Sequence, residues 1–449
     1  MLIDEYLKTV TEQIRCKQAR ESVREEMAGH FEDQMQECMK EGMNRREAEE
    51  FAVKQMGDPL EIGISLDRVH RPKSAWGMLM FIAILSVLGM GVQYFISIQC
   101  QNAQPFILRS QMLSMLVGFA VLVFMYCLDY SFFGSYGKYM AIVFLSFMFL
   151  QVFFLGQVVN GAKAFISVWG GRNISLQMLM FCFIPMYAGV LYSYRGENFK
   201  GMIKSMIFLV LPVWITMHMP CLGVAIVIFF TLFIMLSAAI IKGWFGERLK
   251  KLLIVAWGIV VLFPPLMILA GAGLGIFSEY QLERLQFFVH KGDHAGNGYV
   301  YYQIRKIIEN SKILGRGDIS LDTSTVLPQV NSDFIITHLM SYYGILSGLF
   351  VFGLLSFLVF KIFHISAHQK NQLGTIIGIG CGSLFGVTTI LYFLENIGVL
   401  PYSYLYLPFF SLGGTGMFAT YFLLGIILSI YKYQDIPLKV KDKKLKITI

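Results

Sequence analysis

Ten apolar stretches, each about long enough to cross a lipid bilayer, follow one another at roughly 76–98, 111–128, 138–158, 176–194, 202–218, 221–241, 251–275, 334–363, 372–395 and 403–431. About 20 apolar residues in an α-helix span the hydrocarbon core. Lipid supplies no hydrogen-bonding partner, so each crossing must satisfy its own backbone N–H and C=O groups, and an isolated apolar run of this length does so only as a helix. The expected fold is all-α: a polytopic membrane protein with about ten transmembrane helices. Composition agrees, since 56% of the 449 residues are hydrophobic and 15% are charged, where soluble domains carry about 25% charged residues. A soluble globular enzyme, a disordered chain and a nucleic-acid-binding protein are thereby excluded.

The formal net charge of +8 is unevenly spread. Residues 1–73 hold 12 Lys/Arg against 16 Asp/Glu, and the rest of the chain holds 25 against 13. An acidic head therefore precedes a basic membrane body. If the head is cytoplasmic, 16 of those 25 cations lie in loops on its side: Lys138; Arg195, Lys200 and Lys204; Lys242, Arg248, Lys250 and Lys251; Lys361 and Lys370; and six lysines after Tyr431. Cytoplasmic loops carry the Lys/Arg excess in membrane proteins, so both termini are expected in the cytoplasm and the body in the cytoplasmic membrane. The first thirty residues are too charged for a cleavable signal peptide, and the first apolar span would start insertion. The seven cysteines are scattered without close pairing, which offers neither a metal finger nor a disulfide framework.

Residues 1–70 read as three short helices. Leu2, Tyr6, Val10 and Ile14 recur at helical spacing, as do Val23, Met27, Phe31 and Met35. Gly42 and Asn44 mark a turn and a helix start, and Gly57-Asp58-Pro59 marks a stop. Such a bundle is either a solvated stub or a module that binds a regulator. The expected division is therefore a head at 1–70, a membrane domain at 71–431 and a basic cytoplasmic tail at 432–449.

The one long connection, residues 276–333, carries seven acids and six bases. A loop of that length is usually functional or disordered. Tyr299, Tyr301, Tyr302, Ile304, Ile307 and Ile308 stand at near-helical spacing in it, which predicts an ordered helix on the membrane surface. His290, Asp293 and His294 form an i, i+3, i+4 set, a spacing that gathers metal-ligand types on one helical face. Gly292 within it opposes a helix, and solvated loop histidines are the alternative.

This loop resembles that of the SEDS family, the FtsW, RodA and SpoVE proteins of division, elongation and sporulation. The likeness rests on Tyr280-Gln281 and Arg284-Leu285, then Asp293, Gly296 and Gly298-Tyr299, then Gly315-Arg316-Gly317, Leu327-Pro328 and Ser332-Asp333-Phe334. A second block, Asn396-Ile397-Gly398 and Leu407-Pro408-Phe409-Phe410-Ser411-Leu412-Gly413-Gly414, is similar to the family's approach to its last helix. The head resembles the three-helix prefix of permeases from Gram-positive bacteria, through Glu25-Glu26, His30, Gly42, Ala48 and Met56-Gly57-Asp58-Pro59.

The resemblance implies a peptidoglycan glycosyltransferase that polymerises lipid II on the outer membrane face beside a class B penicillin-binding protein. It implies no organic cofactor and no nucleic acid. Such a reaction removes a proton from a sugar hydroxyl as a pyrophosphate leaves, and so needs a carboxylate and positive charge. Asp293 matches the family's loop aspartate and is the expected catalytic base or a ligand, with His290 and His294, of a divalent cation (Mg or Mn). Arg284, Lys163, Lys306 and Arg316 are the expected anion-binding residues, with Lys291 a further candidate; Gly298, Tyr299, Asp333 and Ser411 complete the expected substrate contacts. Asp333 would otherwise cap the helix that follows it.

Several positions depart from the family pattern. Ala164-Phe165 stand where Arg-Trp is usual, Met178-Leu179-Met180 follow Gln177 where Pro-Ser-Glu is usual, Cys221 stands where an aspartate would precede Leu222, and Tyr342-Tyr343 replace the acid ahead of Gly344. Lys163 and Arg172 are the residues that would compensate. These losses keep two other readings open: a transporter of the same lipid-linked substrate, and a non-catalytic scaffold of the wall machinery.

Overall fold

The computed structural model describes residues 2–99, 105–159, 162–168, 172–219, 221–246, 249–250, 253–260, 299–317, 323–400 and 403–436. The head contains four helices where three were expected: α1 (Leu2–Gln13), α2 (Lys17–Lys40), α3 (Arg45–Met56) and α4 (Pro59–Val69). The helix start at Asn44 is as read. Its side chain accepts from the Arg46 and Glu47 N–H groups, and the Glu47 carboxylate accepts from the Asn44 N–H, closing a capping box. Gly57-Asp58-Pro59 does stop α3, but it also begins α4: Asp58 accepts from Leu60 N–H and Pro59 takes the first helical position, where a missing N–H costs nothing. Tyr6, Val10, Val23, Met27 and Phe31 are buried together, so the predicted apolar stripes do form the head's core.

Beyond the head, α5 (Trp76–Gln99), α6 (Pro105–Cys127) and α7 (Ser131–Leu150, prolonged by a π-helical turn at Gln151–Leu155) lead into the body. They are followed by α8 (the helical run Leu176–Ser193), α9 (Asn198–Met217) and α10 (Leu222–Ile241). After the long loop come α11 (Tyr299–Glu309), α12 (Ile335–Tyr343), α13 (Ile345–Ala367), α14 (Gln372–Asn396) and α15 (Gly414–Lys432). Nine helices among the described residues are long and apolar enough to cross a membrane. The protein is a multi-pass helical membrane protein. Large apolar side chains on α5, α6, α7 and α9 are exposed, for example Val87, Phe124, Val143 and Val210; these are the faces that lipid would cover. By contrast α8, α14 and α15 are mostly buried and form the centre.

Where the first span begins and the last ends, the chain is tied to itself. Lys73 N–H donates to Lys432 O at 3.0 Å, and Lys73 Nζ pairs with Asp435 at 2.7 Å. Entry and exit thus share one end of the bundle, which requires an even number of crossings. Trp244, just after α10, donates to Gln372 at the start of α14 at 2.7 Å, so these two also share that end. The expected seventh span, 251–275, is helical at residues 253–260 and otherwise lies outside the described residues.

Three expected spans have different bounds. The third starts at Ser131, because Asp129 accepts from the Ser131 N–H (2.9 Å) and hydroxyl (2.7 Å). It gives way after Leu155 to an antiparallel sheet, β1 (Gln157–Val159), β2 (Ala162–Val168) and β3 (Arg172–Ser175). The sequence there is rich in Val, Ile and Phe around Asn160-Gly161 and Gly170-Gly171, which is hairpin chemistry. The expected span 334–363 is broken at Gly344, whose φ of +94° no other residue adopts easily. A Cβ there would lie 2.6 Å from Ile313 O. The last span begins at Gly414, since Leu405–Gly413 form a non-helical wedge with Leu405, Leu407, Phe409 and Phe410 buried.

Helices α7 and α8 meet backbone to backbone. A Cβ on Gly189 would meet Phe133 O and the Gly137 Cα, the latter at 2.8 Å. Gly189→Val is expected to cost about 1–3 kcal/mol through forced overpacking, read as a lower thermal midpoint of the detergent-solubilised protein; an unchanged midpoint would show that the two helices do not meet there.

Candidate functional site

The end of the bundle that carries the long loop is held by a buried polar knot. Asn331, Ser332 and Asp333 bring the chain out of the loop, and their three carbonyls are all captured. Gln93 Nε2, from α5, donates to Asn331 O (2.7 Å) and to Phe410 O (2.5 Å). Tyr392 OH, from α14, donates to Ser332 O at 2.9 Å, and Asn396 Nδ2 donates to Asp333 O at 2.9 Å. Asn396 also accepts from the Thr337 N–H at 3.2 Å, and its own carbonyl accepts the Thr337 hydroxyl at 2.7 Å. Leu412 N–H returns to Asn331 O at 2.9 Å. Two sequence blocks far apart in the chain are thereby one structural unit.

The Gly315-Arg316-Gly317 turn is strapped to the end of α12. Gly315 N–H donates to Tyr343 O and Gly317 N–H to Ser341 O, both at 3.1 Å, while Ile345 N–H donates to Lys312 O at 2.9 Å. Arg316 is exposed, with its guanidinium 4.8 Å from the centroid of the Tyr342 ring. The expected helix in the loop is present as α11, with Ile304 and Ile307 buried and Tyr299 and Lys306 exposed.

Of the expected site residues, Arg284, His290, Lys291, Asp293, His294 and Gly298 lie outside the described residues. Among the described residues no group of three or more His, Cys, Asp or Glu side chains could hold a metal ion. Lys163 is on β2, paired with Val158, and Arg172 on β3, paired with Val168; the two are not cross-strand partners. One expectation needs correction. Phe334, not Asp333, occupies the N-cap of α12, because Asp333 enters the knot through its carbonyl. Ser411 is fully buried, donating to Ser332 O at 2.5 Å and accepting from Leu407 N–H at 2.9 Å, so its hydroxyl is a structural tie.

Residues the sequence reading passed over are Gln93, Gln99 and Arg305. The first two are isolated polar groups in an apolar span, itself a functional signal. Arg305 reaches from α11 to Gly398 O at 3.4 Å. Cys221 sits against Ser403 O at 4.0 Å, while the Ser403 hydroxyl donates to the Glu395 carboxylate. Burial, and then the Asp333 and Glu395 carboxylates, push the Cys221 thiol up to about 12. A thiol is uncharged at neutral pH even without that shift, and it stands where the resemblance leads one to expect an aspartate.

With this geometry, known proteins provide a comparison. The sequence model of the FtsW/RodA/SpoVE family, described as cell cycle proteins, matches residues 73–436. The chain is 28% identical over 308 residues to the probable peptidoglycan glycosyltransferase FtsW of Coxiella burnetii, covering 66% of this chain and 78% of that one. It is 24% identical over 362 residues to that of Bacillus subtilis, covering 77% and 88%. Among solved structures, a chain of a peptidoglycan synthase complex, described for its coordination of polymerization and crosslinking, superposes with a TM-score of 0.64 at 19% identity, over 80% of this chain and 98% of that one. The rod shape determining protein RodA of Thermus thermophilus superposes at 0.53 with 15% identity, over 80% and 97%. These likenesses to solved structures concern the fold.

Asn396→Leu would strip buried partners from Asp333 O and the Thr337 N–H. Each orphaned group costs about 1–3 kcal/mol, so the variant should melt at a clearly lower temperature and expose 299–333 to limited proteolysis. A variant matching the parent in both measurements would remove the knot from its structural role.

Proposed function

The chain belongs to the FtsW/RodA/SpoVE family of cell cycle proteins, and from that premise we propose that it is a peptidoglycan glycosyltransferase that polymerises lipid II. The observation that carries this reading is the family match across residues 73–436, with relatives named for that activity over most of their length. In the proposed reaction a sugar hydroxyl of one chain attacks the anomeric carbon of the other. A glycosidic C–O bond forms as the bond to pyrophosphate breaks, and the hydroxyl proton passes to a base. Asp293 is proposed as that base. Arg316, Arg284, Lys291, Lys306 and Lys163 are proposed to hold the phosphates, by bidentate hydrogen bonding for the arginines and by point charge for the lysines; Gly298, Tyr299 and Asp333 are proposed to line the substrate path. A divalent cation, if used, would be held by Asp293 with His290 and His294, and no step is assigned to it.

The Lys/Arg distribution supports cytoplasmic termini, with the long loop outside the cytoplasmic membrane where lipid-linked sugars are polymerised. Residues 1–70 are proposed as a cytoplasmic module for a regulator, of the kind found before permeases of Gram-positive bacteria, and 432–449 as a basic tail at the inner leaflet. A class B penicillin-binding protein is the proposed partner; the similar solved chain belongs to a peptidoglycan synthase complex. One observation favours a second reading, a non-catalytic scaffold: the neutral Cys221 where the family pattern has an aspartate.

Purified protein, alone and with its cognate transpeptidase, is expected to convert lipid II into glycan chains. Asp293→Ala should lower that rate about a hundredfold or more, the scale of a lost general base. Chains formed equally by the variant would remove Asp293 from catalysis, and none formed by folded parent protein would favour the scaffold.

A further inference from the structure

Among the described residues the guanidinium of Arg316 is held by a stack of rings and by no carboxylate. Its Cζ lies 4.8 Å from the Tyr342 centroid, and the Tyr342 ring lies 4.6 Å from that of His338 at an interplanar angle of 30°. His338 is fully buried on α12. Its Nε2 is 2.8 Å from Gln99 Oε1 and its Nδ1 is 2.6 Å from Thr323 Oγ1. Gln99 Nε2 donates to Tyr343 OH at 3.1 Å. Gln99 Oε1 can only accept, so His338 Nε2 carries a proton, and in the neutral ring the Thr323 hydroxyl donates to Nδ1.

The backbone of Arg316 is fixed as well. The bonds of Gly315 to Tyr343 and of Gly317 to Ser341 bracket it. A Cβ on Gly317 would fall 2.6 Å from Asn310 O, so the turn runs too close to α11 for any side chain there. Among the described residues Arg316 makes no ion pair, and it is exposed.

We propose that Tyr342, stacked on His338, is the positioning residue that presents Arg316 to the diphosphate of a lipid-linked substrate; the identity of that substrate rests on the function proposed above. An aromatic face attracts a cation through its quadrupole without adding opposite charge. A carboxylate at the same place would hold the arginine equally well, but would neutralise it and occupy its hydrogen-bonding fork. The ring leaves the fork and the charge free for an anion. The pair of tyrosines ahead of Gly344, in place of an acid, thus acquires a chemical role.

The test uses the full chain in lipid nanodiscs and farnesyl diphosphate as a soluble probe, with farnesol as the uncharged control. Tyr342→Phe keeps the ring and should bind the diphosphate as the parent does. Tyr342→Met keeps apolar bulk without the ring and should weaken binding about three- to tenfold, the scale of one cation–π contact. Tyr342→Glu should weaken it at least as much, and Arg316→Gln should weaken it further than Tyr342→Met does. Farnesol binding and the melting temperature, unchanged across the series, separate positioning from unfolding. Equal diphosphate binding by the Phe and Met variants, or tighter binding by the Glu variant, would overturn the proposal. In lipid II polymerisation Tyr342→Met should raise KM with kcat kept. Parent protein that binds the diphosphate through Arg316 but forms no polymer would sink the glycosyltransferase reading and leave this inference standing.

Discussion

Three consecutive backbone carbonyls, those of Asn331, Ser332 and Asp333, are the fixed point around which the loop-bearing end is organised. A carbonyl taken out of water without a partner costs free energy on the scale of a lost hydrogen bond or more. Here each receives a side-chain donor from a different residue, Gln93, Tyr392 and Asn396, on α5 and α14. The Leu412 N–H and the Ser411 hydroxyl add the wedge that precedes the last helix. Polar networks in a low-dielectric interior specify one arrangement, because a half-satisfied network is worse than none.

The membrane-spanning helices were legible because lipid imposes one solution on an apolar run. What the sequence reading missed shares a cause. The β1–β3 sheet, the break at Gly344 and the wedge at 405–413 are all set by backbone hydrogen bonding, local in the sheet and long-range in the other two, which hydropathy does not encode. Their signals were nevertheless present: Asn160-Gly161 and Gly170-Gly171 between β-branched runs, a glycine inside a predicted span, and Pro408 five residues ahead of Gly413. Pro59 was read only as a stop, although a proline is equally a good first residue of a helix. At the site, the Gly-Arg-Gly turn and the Asn396 and Ser411 blocks were found by motif, yet their roles differ from the motif's suggestion. Ser411 serves the fold, and Arg316 alone of the three faces outward.

The acids that this chain lacks have left a different electrostatic pattern. Cys221 brings no charge beside Asp333 and Glu395, and the Ser403 hydroxyl donates to the Glu395 carboxylate. At Tyr342 the missing acid is replaced by an aromatic face. Both positions, Cys221 and Tyr342, are uncharged where the resemblance leads one to expect an acid.

The contact between Lys73 and the end of α15 has a consequence for how the protein is made. Lys73 is synthesised before any membrane span, whereas its partners Lys432 and Asp435 come after all of them. The head can fold on its capping box and apolar stripes as soon as it leaves the ribosome, but the joint between head and membrane body stays open through the whole of insertion. Only the arrival of the last helix closes it. A chain stalled or truncated before Gly414 would therefore present a folded head on an unlatched body, a distinction that a quality-control protease could read.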